Sequence, residues 1–321
     1  MIGRFLPLAE FEFYLNVLPS LALCMILGAN NLSTCLGTSM GARTLTYSQA
    51  LGLASIGLLA GVLLEGHKLV GAITSGIVFS KDPELFFATA LSTFLIMTLF
   101  TYRKLPISLS QVAVGAAVGS ALAHRIAVNW IFAAHVAVSW LLTPIFGFLI
   151  ATGSSAITRA VAKRVKRALT LNVWYAYLTI LGGVYSSYAL GANTVGLIVG
   201  MTDLPLSQRL FISLLLGAAT VLGMILFSRG TTRSVAENII GLNPSASFAA
   251  QMGGAATVHG FTQFGIPVSV SQGVVGGILG ASIPRKIVVR NDRLTREIIL
   301  GWTIAPLLGA TLAFLVAQLL F

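Results

Sequence analysis

The chain has 321 residues, of which 56% are hydrophobic and only 9% charged, and its mean hydropathy is +0.91. Soluble globular chains carry about 25% charge, so this scarcity of charge excludes a water-soluble globular protein and points to lipid as the solvent of much of the surface. The net charge of +11 would suggest nucleic acid in a soluble chain, but here the basic residues gather in short loops, as in "RAVAKRVKR" (159–167) and "PRKIVVRNDRLTR" (284–296). That is the positive-inside pattern of a membrane protein, and nucleic acid is not an expected partner.

The N-terminal stretch carries Glu10 and Glu12 and lacks a basic region followed by a small-residue cleavage site, so it reads as mature protein. The first apolar segment, 11–40, holds Cys24 and Cys35, which read as packing residues, and is interrupted by "GANNLST" at 28–34. Apolar segments follow at 46–64, 84–101, 106–123 and 129–150, then the basic linker 159–168. Beyond it come the long segment 169–202 and apolar runs at 207–227 and 298–321. Both 11–40 and 169–202 exceed one simple span, so a helix plus a re-entrant hairpin is expected in each.

The chain contains itself twice. "LGAN" at 27–30 recurs at 190–193, "PISLSQVAVGAAVG" at 106–119 recurs as "PVSVSQGVVGGILG" at 267–280, and "WLLTP" at 140–144 recurs as "WTIAP" at 302–306. These offsets are 163, 161 and 162 residues. The expected organisation is therefore a first membrane repeat at 1–158, the linker 159–168 and a second repeat at 169–321.

With 159–167 cytoplasmic, five crossings lead back to the N-terminus, an odd number that turns the second repeat upside down. Loop charge agrees: "HRIAVN" (124–129) holds one Lys or Arg, while its copy at 284–296 holds five. The expected fold is thus an all-α polytopic membrane protein with two inverted-topology repeats of about five crossings each, containing broken or re-entrant helices. Such repeats are the architecture of secondary transporters, with the site at the repeat interface. A multi-pass cell-membrane location with both termini outside follows.

Four polar interruptions occupy repeat-equivalent places: "GANNLST" (28–34), "PISLSQ" (106–111), "GANTVG" (191–196) and "PVSVSQ" (267–272). Pro is favoured in a helix's first turn, so Pro106 and Pro267 each announce a helix start with free N–H groups beside serines. A helix N-terminus with hydroxyls is an anion site by dipole and donor count. Asn, Ser and Thr also offer oxygens to a small cation. Gly, Ala, Ser and Thr equally mark helix packing in membranes, but four matched segments favour a site over packing alone.

No HExxH, no Cys–His pair and no paired carboxylates occur, so an enzyme is not expected. No ring of Lys or Arg lies within the spans, which argues against a passive anion channel. Glu65 and Glu237 read as solvated span ends, and His67, His124, His135 and His259 share no metal-ligand spacing.

The paired "GAN", "P-[IV]-S-x-S-Q" and "W-x-x-x-P" segments resemble the inorganic phosphate transporter (PiT) family, which includes sulfate permeases. The resemblance covers nearly the whole chain. It implies uptake of phosphate, or alternatively sulfate, coupled to a sodium or proton gradient, in a protein that assembles as a homodimer. By residue-wise carry-over it implies anion and ion ligands at Asn30, Asn31, Ser108, Ser110, Asn193, Thr194, Ser269 and Ser271, supported by Gln111 and Gln272. No cofactor is implied beyond a coupling sodium ion, to be held at Asn30, Asn31, Asn193 and Thr194. The family's GAND aspartate is replaced by Asn31 and Thr194, and its PVSTTH histidine by Gln111 and Gln272. Loss of both carboxylates shifts weight toward sulfate, which has only acceptors, whereas hydrogen phosphate keeps a P–OH that wants one.

Overall fold

The computed structural model describes residues 8–103, 107–238, 243–282 and 292–321. Pro106, the Glu237 side chain and the 284–291 part of the basic stretch lie outside the described residues. Twelve α-helices are described: α1 (Leu8–Gly41), α2 (Tyr47–Glu65), α3 (His67–Gly71), α4 (Pro83–Tyr102), α5 (Leu109–Ala123), α6 (Trp130–Ala162), α7 (Ala168–Leu190), α8 (Gly196–Met201), α9 (Arg209–Asn238), α10 (Pro244–Gln263), α11 (Val270–Ser282) and α12 (Asp292–Leu320). Two π-helical segments, Ala72–Ile77 and Gly191–Val195, follow α3 and precede α8. The expected linker 159–168 begins inside α6, and the interval between α6 and α7 is 163–167.

Six helices among the described residues are long and apolar enough to cross a bilayer. Large side chains face outward, as Leu141, Ile145 and Leu149 do on α6, while small residues such as Ala, Gly and Ser face inward. That is the inversion expected when lipid is the outer solvent and helices associate by close packing. This is a multi-pass membrane protein.

The re-entrant element lies elsewhere than expected. α1 runs unbroken for 34 residues through the "GANN" segment, so 11–40 is one helix. Instead, α4 and α5 fold back on each other, and so do α10 and α11. Ser120 near the end of α5 donates to the Leu85 carbonyl at the start of α4, at 3.2 Å. Glu84 and His124, at the open end of that hairpin, approach to 3.8 Å. In the second hairpin Ala246, Ala249, Ala250 and Ala281 form one small buried cluster. With 15 and 13 residues, α5 and α11 are only about 20 Å long, too short for a hydrocarbon core of about 30 Å. α4 and α5 therefore pack as a helical hairpin in which α4 is long and apolar enough to cross and α5 is not. Each hairpin opens with an Asx–Pro pair: Asp82 caps α4 ahead of Pro83, and Asn243 caps α10 ahead of Pro244.

Exchanging the two halves maps the packing onto itself. α1 packs on α9 as α7 packs on α2, α5 on α12 as α11 on α6, α4 on α1 as α10 on α7, and α4 on α12 as α10 on α6. Glycines show the same correspondence at atomic level. Gly115 of α5 faces the Pro306 backbone of α12, and its counterpart Gly276 of α11 faces the Pro144 backbone of α6. Gly119 faces Ala310, and Gly280 faces Phe148. Each hairpin is thus locked to the last helix of the opposite half, because only glycine lets two backbones approach so closely.

Candidate binding site

The locking of hairpins across halves brings the first turns of α5 and α11 together. A small cavity between them is lined by Ile107–Ser110 and Val268–Ser271, with Leu27 and Asn31 from α1, Leu190 from α7 and Thr194 from the π segment. Its polar lining is Asn31, Ser108, Ser110, Thr194, Ser269 and Ser271, matched residues from both repeats, and among the described residues no ionisable side chain lines it. The cavity volume is about 20 Å³, room for one or two waters.

Both helix starts are built alike. Ser108 is the N-cap of α5, its Oγ accepting from the Gln111 amide at 3.4 Å and lying 3.2 Å from Ser110 Oγ. Ser269 Oγ accepts from the Gln272 amide at 3.4 Å and lies 2.8 Å from Ser271 Oγ. The cap leaves other first-turn N–H groups without helical partners, and the dipoles of both helices put positive ends at the cavity. The arrangement offers hydroxyl donors, two dipole ends and no opposing charge, which suits an anion.

Asn31 donates through Nδ2 to the Leu27 carbonyl at 3.0 Å. That bond uses one of the two amide N–H groups, which leaves the other N–H and the acceptor Oδ1. Thr194 is buried and also lines the cavity. Asn30 and Asn193 do not line it. Asn193 is fully buried, and its amide donates to Thr262 Oγ1 at 2.9 Å and to the Ile266 carbonyl at 3.2 Å while accepting from the Val268 amide at 3.2 Å. Gln111 and Gln272 are also buried and outside the lining, and the Oε1 of each has no hydrogen-bond partner.

Sequence reasoning passed over one polar cluster. Glu65, at the end of α2, accepts from His259 Nε2 and from Gln263 Nε2, both at 2.8 Å, with Lys68 Nζ at 3.4 Å. His259 Nδ1 in turn lies 2.8 Å from the Tyr185 hydroxyl. Glu65 is therefore tied to α10, and the only sequence signal was that Glu65 and His259 each interrupt an apolar run, far apart in the chain. Cys24 and Cys35 are buried free thiols in the packed interior of α1.

A membrane-embedded helical bundle with two interlocked hairpins converging on a small polar cavity is an architecture that suits a transport protein. A profile of the phosphate transporter family matches residues 27–313, and the chain belongs to that family. Among its relatives is a protein of Methanocaldococcus jannaschii provisionally named a phosphate permease, 29% identical, the match covering 97% of this chain and 99% of that one. The sulfate permease CysP of Bacillus subtilis is 26% identical, over 94% of this chain and 86% of the relative. A solved structure, that of a protein described as "The sodium-dependent phosphate transporter", shares the fold with a TM-score of 0.87 at 19% identity, covering 97% of this chain and 99% of that one.

Proposed function

We propose that this chain is a secondary active permease for inorganic phosphate, driven by a sodium or proton gradient and working by alternating access at the cavity between α5 and α11. The observation that carries the reading is the cavity itself, where hydroxyls and helix N-termini from both halves converge on one point. Ser108, Ser110, Ser269 and Ser271 supply donors to the anion, and Asn31 supplies an acceptor suited to the P–OH of hydrogen phosphate. Sodium is the favoured coupling ion, because no protonatable side chain lines the cavity and neutral oxygens of Asn31 and Thr194 suffice for it. The solved relative is described as sodium-dependent, which supports the same choice.

Counting each hairpin as returning to its own side leaves α1, α2 and α6 as crossings of the first half. Three is odd, as five is, so the inverted orientation of the halves and termini outside both stand as part of this reading. A homodimer is the assembly we propose from the family.

One observation favours sulfate as a second reading. The lining holds no carboxylate, and a fully deprotonated tetrahedral anion needs donors only. Uptake of labelled phosphate and labelled sulfate into proteoliposomes, each under imposed sodium and proton gradients, tests the proposal. Saturable phosphate uptake that follows the sodium gradient is expected. Uptake that never saturates would indicate a pore, and sulfate uptake that phosphate fails to compete with would replace the substrate.

A further inference from the structure

The segment that delivers α11 to the cavity is short and largely buried, and its backbone needs partners. α10 ends in a Schellman motif: Gly265 has φ +67, its N–H donates to the Thr262 carbonyl at 3.0 Å, and the Ile266 N–H donates to the Phe261 carbonyl at 3.1 Å. The next residues, Ile266–Val268, belong to neither helix. In a lipid-embedded interior an unpaired backbone polar group costs several kcal/mol.

Side chains supply the partners. The Ile266 carbonyl accepts from Asn193 Nδ2 at 3.2 Å, and the Val268 N–H donates to Asn193 Oδ1 at 3.2 Å. Pro267 has no N–H, and its carbonyl accepts from the Trp140 indole Nε1–H at 3.0 Å. From the Ile266 N–H to the Val268 N–H every backbone group has a partner. Asn193 comes from the second half and Trp140 from α6 of the first. The next residue in the chain is Ser269, whose hydroxyl caps α11 and lines the cavity.

We infer that Trp140 and Asn193 are positioning residues of the site: from opposite halves they clamp Ile266–Val268 and so set where Ser269 and Ser271 stand in the cavity. The inference rests on the reading of that cavity as the anion site. Both N–H groups of Asn193 and its oxygen are engaged by Thr262, Ile266 and Val268, so this amide serves the backbone segment. Thr262 completes the clamp by accepting from Asn193 and donating to the Val258 carbonyl at 2.8 Å. In the counterpart segment 105–107, residues 105 and 106 lie outside the described residues, so the inference is confined to the second half.

The test uses the full chain in detergent and in proteoliposomes. Trp140→Phe keeps the ring and removes the N–H; Asn193→Leu keeps the size and removes the amide; Asn193→Asp keeps an acceptor for the Val268 N–H alone. Each is read by phosphate and sulfate saturation curves, by hydrogen exchange of the peptide spanning 266–275, and by thermal melting. Trp140→Phe and Asn193→Leu should each raise the half-saturation concentration about tenfold, as loss of a buried hydrogen bond predicts, with the maximal rate within about twofold. Exchange should quicken at 266–272 and stay unchanged in α6 and α10, with Asn193→Asp intermediate. Because both side chains act on one segment, the double variant should lose less than the product of the single losses.

The inference is overturned by unchanged half-saturation and exchange in both single variants. It is equally overturned by a fall in maximal rate alone, or by loss of protection throughout the helices with a lowered melting temperature, which would make these residues merely structural. If the unaltered protein takes up neither anion, the anion reading fails, and the exchange measurement still decides whether the clamp exists.

Discussion

Replacing Gly115 or Gly276 by alanine tests whether the two hairpins are locked across the halves. A Cβ on Gly115 would sit 2.7 Å from both the Cα and the carbonyl carbon of Pro306, and on Gly276 the same 2.7 Å from the Cα and carbonyl carbon of Pro144. The carbonyl oxygens of Pro306 and Pro144 lie closer still, and ordinary contact begins near 3.4 Å, so each helix pair must part by more than 0.7 Å or distort. Overpacking of this kind costs about 1–3 kcal/mol. For a chain of this length that corresponds to a lowering of the melting temperature by about 2–6 °C. Each glycine lies seven residues after a capping serine, about 10 Å along the helix, so the displacement reaches the cavity and should weaken anion binding as well. Gly153→Ala on α6 is the control, since no atom lies within 4 Å of the added Cβ, and it should melt at or slightly above the unaltered protein. Melting followed by tryptophan fluorescence in one detergent would compare all three. The two alanine variants should fall alike. If Gly115→Ala and Gly276→Ala both melt with Gly153→Ala, the close backbone contacts that lock the hairpins do not exist.

Two further outcomes follow from single sites. Asn31→Asp puts a carboxylate at the cavity in place of a neutral amide; it should raise preference for phosphate over sulfate or deepen sodium dependence, by about tenfold for one charge-assisted bond, and unchanged competition and sodium curves would remove Asn31 from the site. Asp203, in the loop between α8 and α9, has its carboxyl raised from an ordinary 3.8, chiefly by burial, with Lys81 and Arg209 opposing. The folded chain thus holds this proton more tightly than the unfolded one, so the contribution is complete below pH 3.8 and is lost as pH rises through the raised value. Asp203→Asn should therefore melt slightly higher than the unaltered protein at neutral pH, with the gap closing in acid. Asn also tolerates the left-handed backbone there, φ +45. A gap that persists in acid would assign the effect to something other than this carboxyl.

Much of the molecule was legible before folding. Membrane residence follows from composition, a sum over residues that needs no geometry. Duplication was legible because matched words at 106–119 and 267–280, or 140–144 and 302–306, keep order and spacing whatever the fold. The serines of both "P-x-S-x-S-Q" segments stood out for a local reason, because proline followed by serine starts a helix, and the structure places all four at one cavity.

Other features depended on where elements meet. The segments 84–101 and 106–123 look alike by hydropathy, and the structure shows the second, α5, to be too short to span, with Ser120 bonded back to Leu85 of α4. Glu65 and His259 belong to helices that tertiary packing brings together, and nothing in either local sequence names the other. Neighbouring positions on a helix point about 100° apart, so the adjacent pairs Asn30–Asn31 and Asn193–Thr194 could not be divided by motif alone. In each pair packing turned the second residue to the cavity, and it turned Asn193 to a backbone that no helix could satisfy. The amino-acid sequence by itself determined the solvent, the duplication and the chemistry available for an anion. The tertiary structure alone decided which of two neighbouring side chains faces the cavity and which holds it in shape, because that choice depends on the rotation of one helix against another.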